Sequence, residues 1–313
     1  MPLYQNDLPL RDDQIFLTYT GMETDLIFTQ GIELPGFASF PLLANVDGRR
    51  LLSQYYEDLI TLGQNAGLGV ILEAPTWVAN AARAEPLGYD AQALVQINRD
   101  ALELVDTIRS NDASTAPVLL SANIGPKDDA YAPSCQMTAP EAQAYHLAQI
   151  KTLQHTATDV VSGYTLAYPA EAIGIIQAAR QCGLRVVIAF TVETDGRLPT
   201  GQTLQEALET VDAATEAYAS YFMINCAHPD HLTSSLSAEP WAQRVKGIVA
   251  NASRCSHAEL DAASELDAGD PAELGQQLVA LREAHPQLTV LGGCCGTDMR
   301  HLSEIARQLA AQT

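Results

Sequence analysis

The chain is poor in basic residues: 17 lysines and arginines face 38 aspartates and glutamates, a formal net charge of −21. Such a surface repels nucleic acid and anionic membranes, so we expect neither as a partner and favour a small-molecule ligand. The sequence also lacks an apolar run of about 18 residues and a basic, apolar start, so neither a transmembrane helix nor a signal peptide is predicted. These absences predict a soluble, cytoplasmic protein.

Cysteines are few, and their spacing excludes a disulfide framework. Six occur in 313 residues and two of them are adjacent, unlike the paired cysteines of small secreted domains. We therefore expect reduced thiols or metal ligands. Cys135, Cys182 and Cys255 belong to no motif and are expected to be small buried hydrophobic side chains.

Apolar runs rich in Val, Ile and Leu alternate with amphipathic, alanine-rich stretches along the chain. This alternation is typical of parallel strands covered by helices. The predicted strands span residues 15–20, 68–73, 117–123, 160–165, 185–193, 218–226, 245–251 and 288–295. The predicted helices span residues 49–65, 91–110, 139–155, 170–182, 203–218, 231–244, 271–285 and 299–311. Eight such units predict an α/β fold, a (β/α)8 TIM barrel, as a single domain over residues 1–313.

Two features of the connections bear on this fold. No glycine-rich dinucleotide motif follows any strand, which argues against a Rossmann fold. The long stretches 28–48 and 253–270 are predicted to cover the active-site face, because loops of this length in a barrel are usually functional. The oligomeric state is left open by the sequence, and a homo-oligomer is compatible with it.

Polar residues at the ends of the predicted strands are the candidate site residues, since active-site groups of a barrel come from the carboxyl ends of its strands. The predicted substrate-binding residues, drawn from these ends and the turn after the first strand, are Tyr19, Gly21, Glu23, Glu73, Asn123, Tyr164 and Asn251. The predicted metal ligands are Cys226, Cys294 and Cys295.

The three cysteines predict a zinc site. Adjacent side chains on a regular strand point to opposite faces, so the backbone at Cys294 and Cys295 must bend to direct both thiols to one ion. The glycines of the surrounding LGGCCGTD provide the freedom for that bend. Cys226 ends the sixth strand and can face the pair across the barrel mouth. Three thiolates leave one tetrahedral position open, as in a catalytic zinc site.

An open position on zinc can take a substrate thiol and hold it as thiolate at neutral pH, where a free thiol of pKa about 8.5 is mostly protonated. Such a thiolate can attack a methyl group on a sulfonium or ammonium donor. Alignment of the nucleophile, the methyl carbon and the leaving group supplies further rate. The residues therefore predict transfer of a methyl group from a small donor to a small thiol.

Several motifs resemble the homocysteine S-methyltransferase family over nearly the whole chain. They are GGCCGTD at 292–298, the pair Asn225-Cys226, TGMETDL at 20–26 and, more weakly, ANIGP at 122–126 and VANAS at 249–253. The resemblance implies a (β/α)8 fold and three cysteine ligands to zinc. It also implies methyl transfer to homocysteine from S-methylmethionine, S-adenosylmethionine or betaine, a step of methionine biosynthesis.

The sequence departs from that family at two acids that are expected to bind the amino group of homocysteine. Tyr19 stands in place of an aspartate and Tyr164 in place of a glutamate, while Glu23 stands where a glycine is usual. We therefore expect either that a relocated acid binds homocysteine, with Glu23 ahead of Glu73 and Glu193, or that a thiol without the amino group is preferred. The alternatives are a methyltransferase for a different small sulfur compound and a non-catalytic zinc-binding barrel.

Overall fold

The computed structural model describes residues 2–4, 8–9, 14–113, 116–232 and 235–311. Eight parallel strands of these residues close into a barrel in chain order, with the first strand paired to the eighth. The strands are β1 Phe16–Thr18, β2 Gly69–Glu73, β3 Val118–Ile124, β4 Val160–Leu166, β5 Val186–Thr191, β6 Phe222–Ala227, β7 Val245–Ala250 and β8 Val290–Gly293. The predicted barrel is confirmed.

Helices connect the strands and cover the outside of the barrel. The longer ones are Val46–Ala66, Ala91–Asn111, Ala139–Ile150, Pro169–Gln181, Leu204–Thr215, Pro271–Ala284 and Met299–Ala310. Shorter α-helices are Met22–Thr24, Ala81–Ala84, Pro229–Leu232 and His257–Ala262. Among the helices of the described ranges, none has both the length and the apolar character that crossing a membrane requires.

The strands are buried on both faces, which explains why they read as continuous apolar runs rather than as alternating ones. Phe16, Ile71 and Leu119 pack inside the barrel. Leu17 and Val70, their neighbours in the chain, pack in the layer between the strands and the helices. Because side chains alternate along a strand, each strand therefore contributes to two cores.

The predicted helix over residues 231–244 is wrong as a continuous element. The structure has a short helix at Pro229–Leu232 and a 3-10 helix at Pro240–Arg244, and residues 233–234 of the prediction lie outside the described residues. Pro240 explains the break, since a proline inside a helix removes a hydrogen bond and clashes with the preceding turn. It is instead the first residue of the 3-10 helix, a position that tolerates proline.

The two long loops lie over the carboxyl ends of the strands, as predicted. The first contains 3-10 helices at Pro35–Phe37 and Phe40–Ala44, and the second contains the helix His257–Ala262. Phe37 from the first loop and Leu260 from the second line one cavity above the barrel mouth. Both loops therefore contribute to the same face.

Candidate active site

Three thiols converge at the carboxyl end of the barrel. The Sγ atoms of Cys226, Cys294 and Cys295 all lie within 4.8 Å of one another, and those of Cys226 and Cys295 are 3.9 Å apart. A tetrahedral zinc ion with bonds of about 2.3 Å keeps its sulfur ligands roughly 3.8 Å apart. The three side chains therefore fit one zinc ion, with one coordination position left for another ligand.

The bend predicted at the adjacent cysteines is present. The predicted strand 288–295 is too long: β8 ends at Gly293, and both cysteines lie in the turn that follows. The turn is fixed by Thr297, which donates from its backbone nitrogen and its hydroxyl to the carbonyl of Cys294, at 3.1 and 2.7 Å. A Cβ atom on Gly21 would lie 2.2 Å from that same carbonyl. Glycine is thus required where the loop after β1 approaches the turn.

Cys226 reaches the cluster through a distortion of β6. The pairing of β6 with β7 shifts register between Asn225 and Ala227, so Cys226 is the extra residue of a bulge. The side chain of Asn225 accepts a hydrogen bond from the backbone nitrogen of Thr165 at 2.9 Å and donates to its hydroxyl at 2.8 Å. These bonds connect the end of β6 to the end of β4 beside the thiols.

The thiols are electrostatically coupled. Hydrogen bonding from Cys294, and then from Cys295, lowers the pKa of the Cys226 thiol well below its usual range despite burial. The same bond to Cys226 raises the pKa of Cys294 and of Cys295. Negative charge in the cluster is therefore concentrated first on Cys226, and the others need a cation to ionise with it.

A small cavity of about 50 Å³ lies beside the thiols. Of the predicted substrate-binding residues, it is lined by Tyr19, Gly21, Glu23, Asn123 and Tyr164. The side-chain oxygen of Asn123 is buried there, with no hydrogen-bond partner among the described residues. A buried polar atom without a partner is costly, so this oxygen is available to a ligand donor.

Among the described residues, Glu23 is the only one with a carboxyl group on the wall of this cavity. It is 5% exposed, it accepts hydrogen bonds from the hydroxyls of Tyr19 and, at 2.8 Å, Ser39, and burial raises its pKa to about 7. The sequence pointed to Glu23 but not to Ser39, which lies in the loop 28–48. Tyr19 thus holds Glu23 in place.

Glu73 lies behind Tyr164 rather than on the cavity wall. The Tyr164 hydroxyl donates to Glu73 Oε1 at 3.2 Å, whereas Oε2 is buried and has no partner among the described residues. Glu73 is 2% exposed, and burial raises its pKa to about 7. A buried carboxyl group with one unpartnered oxygen stabilises the fold only while it is protonated.

We expect Glu73→Gln to stabilise the protein at alkaline pH. Because the folded pKa of Glu73 is raised from 4.5 to about 7, unfolding releases its proton between those values. Its contribution to the free energy of unfolding is full below pH 4.5 and is lost as the pH rises through about 7. A shift of this size corresponds to about 3 kcal/mol. In urea unfolding, the free energy of unfolding of the variant should exceed that of wild type by about this amount at pH 8 and by little at pH 4.5.

The matched control is Glu57→Gln, at an exposed position of the helix Val46–Ala66. In this variant, the free energy of unfolding should differ between pH 4.5 and pH 8 by the same amount as in wild type. A stability gain from Glu73→Gln that is equal at both pH values would contradict a proton held by Glu73 in the folded state.

A second, larger cavity of about 360 Å³ opens beside Cys295. Its aromatic walls are Phe28, Phe37, Trp77 and Tyr131, and its charged walls are Arg83, Asp129, Asp261, Glu265 and Asp267. Asn251 lines this cavity rather than the smaller one, and its side-chain oxygen is buried without a partner among the described residues. The aromatic and charged residues of this cavity lie in the connections that follow the strands and were not among the predicted site residues.

The other cysteines take no part in the cluster. Cys135 and Cys255 are exposed and Cys182 is partly buried, so the expectation that all three are buried hydrophobic side chains is wrong. Cys135 and Cys255 are in loops at the carboxyl face, and Cys182 caps the helix Pro169–Gln181.

The fold and the site together define a (β/α)8 barrel with a three-thiol centre at its carboxyl face. The sequence profile of the homocysteine S-methyltransferase family matches residues 20–309. The chain therefore belongs to that family and is a methyltransferase that acts on a thiol, which confirms the resemblance carried by the motifs.

Solved structures with a similar fold include two of the homocysteine methyltransferase MmuM from Escherichia coli. The oxidised form is 18% identical with a TM-score of 0.73, and 97% of each chain is covered. The metallated form is 16% identical with a TM-score of 0.67, again over 97% of each chain. At these identities the likeness shows the fold. A search of curated proteins by sequence finds no significant match.

Proposed function

We propose that Cys226, Cys294 and Cys295 bind zinc and that the protein transfers a methyl group from a small sulfonium or betaine-type donor to homocysteine or a related thiol. The observation that carries this proposal is the convergence of the three thiols within 4.8 Å, between a small and a larger cavity. One cavity suits each of the two substrates. Methylation of homocysteine yields methionine, so the proposed role is in methionine biosynthesis.

Bound zinc would accept the substrate sulfur at its fourth position and keep it deprotonated at neutral pH. The residues of the chain position the thiols and align the reacting atoms. The bulge at Cys226 and the turn at Cys294 place the three thiols together on the wall of the small cavity. The new sulfur–carbon bond forms as the donor's bond to the same methyl carbon breaks, and the electron pair of that bond stays on the donor. Aligning these three atoms is the principal contribution of the walls.

The acceptor is proposed to occupy the small cavity. Glu23 is the carboxyl group on its wall and would pair with the ammonium group of homocysteine, while Asn123 offers an unpartnered oxygen. Pairing with a cation favours the ionised carboxylate, which offsets the burial that raises the pKa of Glu23. This assigns to Glu23 the role of the acids that Tyr19 and Tyr164 replace.

The donor is proposed to occupy the larger cavity, because a sulfonium or quaternary ammonium group is attracted to aromatic faces. Phe37 and Trp77 meet edge to face there, with ring centroids 6.3 Å apart. Asp261 and Asp267 add negative charge, and the Arg83 guanidinium, 5.9 Å from the centre of the Trp77 ring, is placed to meet a donor carboxylate. The walls therefore match a cation that also carries a carboxylate.

We expect Phe28→Leu to raise the KM for the donor about fivefold, because removing an aromatic face from a partly exposed cation site costs about 1 kcal/mol. Phe28 lines the larger cavity but not the smaller one. The KM for the thiol should stay as in wild type. Tyr218→Leu is the control, since the Tyr218 ring lies against Arg180, away from both cavities. Equal changes in both KM values for Phe28→Leu would contradict a donor site at this ring.

The proposed function is tested by turnover of the zinc-loaded chain with a panel of thiols and methyl donors, with methylated product measured by mass spectrometry. Product with at least one thiol and one donor, abolished by a chelator and restored by zinc, is the expected result. Zinc binding without product from any pair would favour the non-catalytic barrel.

The cytoplasmic location and the oligomeric state stay predictions.

A further inference from the structure

Cys226 has a backbone conformation that its neighbours must maintain. Its φ is +52°, in the left-handed region that non-glycine residues rarely adopt. It is also the extra residue of the bulge between Asn225 and Ala227, so β7 provides no residue opposite it. Strained conformations of this kind persist where surrounding contacts fix them. The direction of the Cys226 thiol depends on those contacts.

One such contact comes from the loop 253–270. The Nε2 atom of His257 donates to the carbonyl oxygen of Cys226 at 2.7 Å, and His257 is 7% exposed. The imidazole therefore binds the bulged residue itself. His257 begins the short helix His257–Ala262, whose start is capped by Ser256.

The other ring nitrogen of His257 is also engaged. Its Nδ1 atom lies 2.9 Å from Oε1 of Glu193, which follows the end of β5. A carboxylate that binds one imidazole nitrogen fixes the orientation of the ring and therefore the direction of the other nitrogen. Glu193, which the sequence offered as a third candidate for the substrate amino group, is thus directed toward His257.

The His257 ring also forms part of the wall between the metal centre and the larger cavity. It stacks on the ring of Tyr131 with the centroids 4.0 Å apart, and both residues line that cavity. Tyr131 and Cys226 also both line the smaller cavity. The imidazole that donates to the Cys226 carbonyl is therefore packed against a second residue of the cavity walls.

We propose that His257, oriented by Glu193, is a positioning residue that holds Cys226 in the conformation required for binding zinc. The proposal rests on the metal centre of the proposed function, and it assigns to the loop 253–270 a part in metal binding as well as in covering the site. It does not require that His257 contact either substrate.

The test is the zinc dissociation constant of the purified full chain, measured by competition with a chromophoric chelator. His257→Ala should weaken zinc binding about 10- to 100-fold, the range usual for residues that orient metal ligands. Glu193→Gln should weaken it in the same direction by a smaller factor. His257→Gln should recover part of the loss, because its side-chain amide can still donate to the Cys226 carbonyl.

The control is His231→Ala. His231 also contacts the loop 253–270, through the carbonyl of Arg254 at 3.1 Å, but it does not touch Cys226. The His231→Ala variant should have the same zinc dissociation constant as wild type. A lowered melting temperature for His257→Ala with unchanged zinc affinity would overturn the proposal and leave His257 as a structural contact.

These outcomes are separable from those of the proposed function, because the competition measurement needs no turnover. Weakened zinc binding in His257→Ala, in a protein that methylates no thiol, supports the positioning role while the methyltransfer reaction fails. Normal turnover in wild type together with unchanged zinc affinity in His257→Ala and Glu193→Gln overturns the positioning role alone. A wild-type chain that binds no zinc removes the metal centre and the positioning role with it.

Discussion

Cys226→Ala, Cys294→Ala and Cys295→Ala are each expected to reduce bound zinc from about one ion per chain to nearly none, while the barrel stays folded. The three thiols are the sulfur donors of the proposed site, and two sulfurs cannot hold a catalytic zinc as three do. The fold has its own apolar cores inside and outside the strands, so it does not depend on the metal. Metal analysis and circular dichroism measure the two effects.

Cys135→Ala is the matched control, because Cys135 is exposed and outside the cluster. It should retain a full equivalent of zinc and wild-type turnover. Full zinc occupancy in any of the three cluster variants would remove that cysteine from the ligand set. Loss of the circular dichroism signal together with the zinc would instead show that the metal is structural.

Glu23→Gln is expected to lower kcat/KM for homocysteine by a factor of roughly 10² to several times 10³, because breaking a buried ion pair costs about 3–5 kcal/mol. A desamino thiol of the same length brings no ammonium group to Glu23, so its kcat/KM should change little. The measurement compares methyl transfer to the two thiols in wild type and variant.

Ser39→Ala is a milder variant at the same point, since Ser39 donates to Glu23 at 2.8 Å but carries no charge. It should lower activity with homocysteine less than Glu23→Gln does. If homocysteine is preferred by orders of magnitude and Glu23→Gln changes nothing, the assignment of the ammonium group to Glu23 is wrong. Glu73 then becomes the next candidate, because Glu193 is engaged by His257. A wild-type preference for the desamino thiol would instead support an acceptor without an amino group.

Much of the barrel and of the three-thiol cluster could be predicted because both depend on local patterns. An apolar run such as residues 186–190 is buried whichever strands flank it, so the run alone locates β5. The carboxyl ends of all strands in a parallel barrel meet at one face, so cysteines at the ends of β6 and β8 could be expected to converge. The bend at Cys294 follows from the glycines beside it.

The remaining features depend on contacts that the local sequence does not encode. His257 and Tyr131 belong to loops without regular periodicity, and His257 reaches Cys226 across 31 positions and Glu193 across 64. The left-handed backbone of Cys226 is likewise set by tertiary contacts, because nothing in an apolar strand marks a bulge. Glu73 ends its strand as predicted, yet the bulk of Tyr164 places it behind the cavity wall.

The central claim is that the acceptor thiol binds directly to zinc held by Cys226, Cys294 and Cys295. X-ray absorption at the zinc edge tests it most directly, on the zinc-loaded chain with and without the thiol that is methylated fastest. We predict three sulfur ligands at about 2.3 Å in the free protein and four when the thiol is bound. An unchanged count of three sulfurs at a saturating concentration of a thiol that is turned over would contradict the claim.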